Sequence, residues 1–382
     1  MKITDLEAIV LESPYENKPP SGSEEAHGVK HCLLLKVSTD EGITGWSDVE
    51  TAPHVAAAVV AAPASGAGVF EGVKSLVLGE DPFEVERLWD KIYRGTIYYG
   101  RRGAAMQVLS GLDIACHDII GKAIQRPLHK ILGGAYRQRV RAYASTLFRQ
   151  SPDEMKRACE FYLQRGFTAI KFGWGAFGRD RRHDVALVAA AREALGPQVE
   201  LMIDPGWMVN RSAYDAIELI RALEPFRIFW IEDFLHPECY DGYALVKQAG
   251  ISTRLAAGEQ EATAWGFHDL ITRGKVDIVQ PDLSRCGGLS QARKIVREAQ
   301  RAGVDVCPHA WLTDLLSAAS LHLNAVLERS LFLEYNVCDN PMLREIIRDP
   351  IRMEPDGMVP VPQGWGLGID IDEKAVTRFR VG

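Results

Sequence analysis

Short apolar runs alternate with amphipathic helical segments eight times from about Val140 onward, and this repetition restricts the fold more than any other feature of the chain. The runs are RVRAYAS, TAIKFG, VELMID, RIFWIED, TRLAAGE, VDIVQPD, VDVCPH and SLFLEYN. Strands separated by helices in this way imply a parallel sheet covered by helices, and eight such units can close into a (β/α)8-type barrel. A doubly wound open sheet is the other arrangement the pattern allows. At 382 residues the chain exceeds what the repeat needs, so a smaller second domain is expected beside the large one.

The flanks of the repeat supply that domain. ITDLEAIVLES, HCLLLKVS and ITGWSDV read as strands, the last two joined as a hairpin across Thr39, Asp40, Glu41 and Gly42. Helical periodicity follows in DPFEVERLWDKIYRG, with Asp81 expected at the N-cap and Pro82 at the first helical position, and again from Gly103 to Ala123. The Pro/Gly-rich end, MVPVPQGWGLGIDID, is not needed by a barrel and is expected to return to the small domain. The expected division is therefore an α+β domain over 1–134, a barrel over 135–350 and a returning segment over 351–382. Between the first two strands, SPYENKPPSGSEEAHGVK is longer than a compact domain normally carries without purpose. It is expected to be a lid in which His27 and Lys30 read the distal end of a substrate; a solvated loop is the plainer alternative.

Composition excludes several classes of function. The net charge of −7, with Lys and Arg scattered, offers no basic stripe for nucleic acid. Seven dispersed cysteines with no CxxC pair argue against a disulfide framework and fit a reduced, cytoplasmic protein. The amino terminus lacks a signal-peptide core, and the Ala-rich stretch from Val55 stops at Pro63, so neither export nor a membrane partner is expected.

The run FWIEDF ends a buried strand in two carboxylates, Glu232 and Asp233, although an unpaired buried carboxylate costs several kcal/mol. Its neighbours explain why. Runs two to eight end in Lys171, Asp204, Glu232, Glu259, Asp282, His309 and Glu334, each about one repeat from the next. In a barrel all these ends meet on one rim, where barrel enzymes place their chemistry. Asp204, Glu232 and Glu259 form an all-oxygen set on three consecutive strands, suited to a hard cation such as Mg²⁺. Any one of them alone would more simply cap the following helix; three at matched depth favour the metal. Asp282 and His309 are the right types for a dyad in which the carboxylate orients the imidazole. Lys171 is placed to hold a substrate carboxylate, and Glu334 opposite it to donate a hydrogen bond to a developing oxyanion.

Acidic residues on three successive strands followed by Asp and His on the next two resemble the enolase superfamily, and the Asp282/His309 pair resembles its mandelate racemase subgroup. The likeness extends through MIDPGW, WIEDF, AAGEQE, QPDLSRCGG and CPHA to SGLDIACHDIIGKAIQRPLHKILGG and the terminal GWGLGIDID. It implies an α+β capping domain on a modified (β/α)7β barrel, Mg²⁺ held by Asp204, Glu232 and Glu259, a small-molecule carboxylate substrate and a homo-oligomer. As in enolase-superfamily sites generally, a base removes the proton α to the carboxylate and Mg²⁺ stabilises the ene-diolate. Muconate-cycloisomerase-like members carry Lys where this chain has Asp282, which counts against that branch.

Two departures shape the functional expectation. Mandelate-racemase-like members often read Lys-x-Lys on the second strand, the second lysine facing the histidine from the opposite side; here the match is Lys171, Phe172, Gly173. Gly206 also stands where many relatives carry Asn. With His309 as the one base, the economical chemistry is dehydration of a sugar acid, an aldonate or aldarate, to a 2-keto-3-deoxy acid. A racemase or epimerase is the enzymatic alternative, and a non-catalytic barrel the alternative from another class.

Overall fold

The computed structural model describes residues 1–14, 29–207, 209 and 212–381. Three antiparallel strands, β1 (Ile3–Pro14), β2 (Val29–Thr39) and β3 (Thr44–Val49), form a small sheet in that order. The β2–β3 turn falls where expected: Thr39 Oγ1 donates to Ile43 O and accepts from Ile43 N. The helix expected to start at Pro82 starts later, spanning Val85–Gly95. Asp81 Oδ1 accepts from Phe83 N at 3.0 Å, so the carboxylate stabilises a local turn instead of a helical start.

The helix Ala104–Ala123 is buried over most of its length because it lies between the small sheet and the barrel. Its Met106, Leu109, Leu112 and Ala115 share one apolar cluster with Leu33, Leu35 and Val37 of β2. Its polar side chains face the barrel: Ser110 Oγ accepts from Gly287 N at 2.8 Å, and Asp113 accepts from Ser290 N at 3.1 Å and from Ser290 Oγ. These bonds tie the small domain to the segment just after Asp282.

The barrel strands are β4 (Arg139–Leu147), β5 (Ala169–Gly173), β6 (Glu200–Asp204), β7 (Trp230–Glu232), β8 (Arg254–Ala257), β9 (Ile278–Val279), β10 (Asp305–Val306) and β11 (Leu333–Asn336). All pair in parallel, in the order β10-β9-β8-β7-β6-β5-β4-β11. Among the described residues β10 and β11 share no ladder, but Cys307 Sγ reaches Phe332 O at 3.5 Å across the seam. One apolar layer takes a residue at or beside each strand: Tyr143, Ala169, Met202, Trp230, Ala256, Ile278, Cys307 and Phe332. Large rings interdigitate with small side chains there, and Tyr143 meets Trp230 and Phe332 edge-on at 5.6 and 6.0 Å. The sheet therefore curls around its own side chains into a TIM-type barrel and is not an open, doubly wound sheet.

Crossover helices begin on caps legible in the sequence. Ser151 and Glu154 form a capping box, and Asp180 and Ser212 accept from the third residue beyond each of them. The tail is shared between the two parts of the fold. β12 (Met358–Pro360) adds antiparallel to β4, whereas the sequence expectation sent this whole segment to the small domain. Farther on, Leu367 N donates to Asp118 Oδ1 at 2.9 Å and Val381 N to Val10 O at 3.0 Å, both in the small domain. No helix of the described residues is long and apolar enough to cross a membrane.

Candidate active site

Parallel strands deliver their carboxyl ends to one rim, and the chain's polar strand ends meet there. Asp204 and Glu232 are the last residues of β6 and β7, while Glu259, Asp282 and His309 lie just past β8, β9 and β10. Lys171 sits within β5 and Glu334 within β11, one strand to either side of β4.

Asp204, Glu232 and Glu259 each bring one carboxylate oxygen to within 4.8 Å of the others. Glu232 Oε2 accepts from Trp230 Nε1 at 2.9 Å, and its Oε1 lies 2.6 Å from Lys171 Nζ. Among the described residues no cation pairs with Asp204: Oδ1 accepts from Gly206 N at 3.0 Å and Oδ2 from Trp174 Nε1 at 3.2 Å. Burial first, and the charge of Glu232 next, push the Asp204 carboxyl well above the usual carboxylate range. The same causes, with Glu259 the foremost charge, raise Asp233, which follows Glu232 at φ 44°. Among the described residues, six buried or half-buried carboxylates (Asp204, Glu232, Asp233, Glu259, Asp282 and Glu334) thus gather around three cationic side chains, Lys171, Arg285 and His309. Oxygen donors crowded around unneutralised negative charge fit a hard divalent cation.

His309 Nδ1 lies 2.6 Å from Asp282 Oδ2, while Asp282 Oδ1 accepts from both Ser284 N and Ser284 Oγ at 2.7 Å. The carboxylate is therefore fixed and leaves Nε2 as the nitrogen turned into the site, 3.0 Å from Glu259 Oε2 and 3.8 Å from Glu334 Oε2. Burial alone would keep the ring neutral; the charges of Glu259 and Glu334, with the bond to Asp282, hold its pKa well above the usual histidine value.

Lys171 and Glu334 do meet. Lys171 Nζ is buried between Glu232 Oε1 at 2.6 Å and Glu334 Oε1 at 3.0 Å, so its charge is already taken up by protein carboxylates. Glu334 also accepts from Ser145 Oγ and Ala310 N, both at 2.7 Å. Burial opposes its ionisation, yet the charges of Lys171 and His309 and those two bonds hold it down at about 2. In this arrangement both of its oxygens accept, Oε1 from Ser145 and Oε2 from Ala310.

Several contributors were not singled out from the sequence. Ser145 ends the first run, to which the strand-end rule applies equally. Arg285, inside QPDLSRCGG, donates to Glu259 O at 3.2 Å and pairs at 3.0 Å with Glu50, which follows β3 in the small domain. Trp174 and Trp311, each just past a strand-end residue of the rim, line the cavity. Lys30 lies 3.8 Å from Glu50 and so reaches the site only through it. His27 and most of the expected lid lie outside the described residues.

A cavity of about 360 Å³ unites these groups, with Glu50 from the small domain and Lys171, Asp204, Glu259, Arg285 and His309 from the barrel in its walls. A capped α/β barrel whose rim combines a cation-fitting acidic triad with a carboxylate-oriented histidine defines an enolase-type class of protein. Residues 5–133 match the mandelate racemase / muconate lactonizing enzyme N-terminal domain, and residues 154–375 match the enolase C-terminal domain-like family. The chain belongs to this family, within the enolase superfamily. It is 34% identical to D-galactarolactone cycloisomerase of Agrobacterium fabrum (strain C58 / ATCC 33970), over 100% of this chain and 99% of that one. It is 33% identical to D-galactonate dehydratase of Xanthomonas euvesicatoria pv. vesicatoria (strain 85-10), over 92% of each. The crystal structure of the 3,6-anhydro-D-galactonate cycloisomerase from Zobellia galactanivorans superposes with a TM-score of 0.88 at 29% identity, covering 100% of both chains.

Proposed function

We propose that this protein is a Mg²⁺-dependent dehydratase of a sugar acid, an aldonate or aldarate, forming a 2-keto-3-deoxy acid. The observation that carries the reading is one-sidedness: His309, oriented by Asp282, is the base, and Gly173 offers no side chain for a second one. A Cβ there would lie 3.1 Å from Asp204 Cβ and Oδ2, so the bare position borders the acidic triad directly. Relatives that act on galactonate, arabinonate and L-rhamnonate are named dehydratases, which supports a polyhydroxy acid as substrate.

Asp204, Glu232 and Glu259 would hold magnesium, which when bound would polarise the substrate carboxylate and acidify the adjacent α-proton. His309 Nε2 then takes the α-proton as the Cα–H bond breaks. The same imidazolium returns that proton to the β-hydroxyl as its C–O bond breaks, water departs, and the enol becomes the keto acid. Asp282 holds Nδ1–H throughout, and Lys171 steadies Glu232 and Glu334 beside the reacting carboxylate. Incubation with a panel of aldonates and aldarates should give keto acid only with Mg²⁺, and His309→Asn should abolish it; activity surviving that change rejects the base.

The likeness to the lactone cycloisomerase favours a second reading, in which a ring oxygen leaves instead of hydroxide after the same proton abstraction. Keto acid formed from a lactone but not from its open acid would select it. Deuterium entering recovered substrate without keto acid would instead select a racemase, and failure to bind Mg²⁺ by calorimetry a non-catalytic barrel.

A further inference from the structure

We propose that Trp174, seated on the bare backbone of Gly206, is the positioning residue that fixes Asp204 and walls off the cavity face across from His309. This rests on the single-base reading above and extends it to which face of the substrate can exchange a proton.

Trp174 directly follows β5 at φ 44°, a left-handed conformation that a bulky residue rarely adopts without a compensating contact. Both of its N–H groups go to one partner. The backbone N donates to Asp204 O at 2.9 Å and Nε1 to Asp204 Oδ2 at 3.2 Å. The seat is specific as well. A Cβ on Gly206 would lie 3.1 Å from indole Cδ2 and Cε2, so the ring occupies the space another side chain would need. Gly206, at φ 76°, turns its own N–H to Asp204 Oδ1 at 3.0 Å. The side-chain oxygens of Asp204 are thus oriented from two directions by Trp174 and Gly206, and no cation among the described residues pairs with them.

Position gives the ring its second role. Gly206 follows β6, and in the closed order of eight strands β6 lies directly across from β10, which carries His309. Trp174 and His309 both line the cavity a substrate must enter, and the strand order sets the seat of the indole across the barrel from the strand that carries the imidazole. Indole N–H is a donor only, does not titrate in this range, and is already given to Asp204. The indole itself can neither remove nor supply a proton.

The test uses the full chain with Trp174→Phe, which keeps the wall and deletes the donor, and Trp174→Ala, which deletes both. Residues that orient a metal ligand typically affect affinity about 10-fold or more, and both variants should weaken Mg²⁺ binding by that much in a calorimetric titration without substrate. Unchanged affinity in both overturns the positioning role. In D2O, substrate recovered from Trp174→Ala should carry deuterium with inverted configuration at the α-carbon, whereas Trp174→Phe and the parent should show none. Retention of configuration in Trp174→Ala overturns the wall. Should the parent convert no sugar acid or lactone, the proposed reaction falls, and the magnesium titration alone decides whether Trp174 positions Asp204.

Discussion

Nδ1 of His309 and Oδ2 of Asp282 stand 2.6 Å apart, and the same carboxylate is clamped by two donors from Ser284. Because Asp282 cannot swing away, it fixes which imidazole nitrogen carries the proton and which faces the cavity. Asp282→Asn keeps the shape but offers an amide N–H or a weaker acceptor. Its kcat should fall by about 100-fold or more, the usual range for disabling an acid–base group, while Mg²⁺ affinity by calorimetry stays unchanged. Equal loss of both would show that Asp282 acts on the acidic triad and not through the imidazole.

Lys171 separates Glu232 from Glu334. Removing one partner of a buried ion pair costs about 3–5 kcal/mol because the other charge stays buried. Lys171→Met should therefore lower unfolding free energy by that order in chelator, and by less in saturating Mg²⁺. Denaturant titrations of parent and variant in both conditions measure this; a loss independent of Mg²⁺ would place the cation elsewhere.

Asp48 of β3 accepts from Thr313 N at 3.1 Å and from Thr313 Oγ1 at 2.6 Å, joining the small domain to the start of the helix Asp314–Val326. Burial raises its pKa from 3.8 to about 7 against the pull of those bonds. A raised folded-state pKa means that its contribution to stability is fully present below about pH 4 and is lost as pH rises through 7. The shift corresponds to something on the order of 4 kcal/mol. Asp48→Asn can still accept both bonds on one oxygen, so relative to the parent it should gain stability between pH 5 and pH 8. Parallel slopes of unfolding free energy for the two proteins would contradict this.

Arg285 spans Glu50 of the small domain and the backbone of Glu259 in the barrel. A planar guanidinium can bridge two acceptors at once, and an ammonium cannot hold the same pair in the same geometry. Arg285→Lys should lower kcat/KM on the order of 100-fold, the scale of an ångström-level misplacement of a site, mostly through KM. Unaltered kinetics with lowered thermal stability would confine Arg285 to holding the domains together.

The rim was legible because it obeys a rule with one variable: in a parallel barrel, the polar residue ending each apolar run goes to the same edge. Asp204, Glu232, Glu259, Asp282 and His309 follow it, and Ser145 would have been found by applying it to the first run. The rule gives the edge but not the direction of a long side chain, so Lys171 reads as a ligand for substrate although its ammonium turns between two glutamates. Glu50 and Arg285 belong to different domains, and no periodicity pairs them. Trp174 left a trace in the sequence, an aromatic between two glycines in KFGWG, but its seat on Gly206 exists only once β5 and β6 lie side by side. The late start of the helix Val85–Gly95 has a local cause: the Asp81 side chain competes for a backbone donor that a helix start would have used differently.

Among the described residues, seven junctions of the barrel wall are fastened by amide-to-carbonyl ladders, and the eighth, between β10 and β11, through side chains: Cys307 Sγ on Phe332 O, and Glu334 Oε2 accepting from Ala310 N. The three acids descend from β6, β7 and β8, well inside the laddered stretch, while the residue after the imidazole is held to β11 by a carboxylate, that of Glu334. The seam is thus closed at the rim by a member of the site itself, so a change at Glu334 reaches the barrel's closure as well as its cavity.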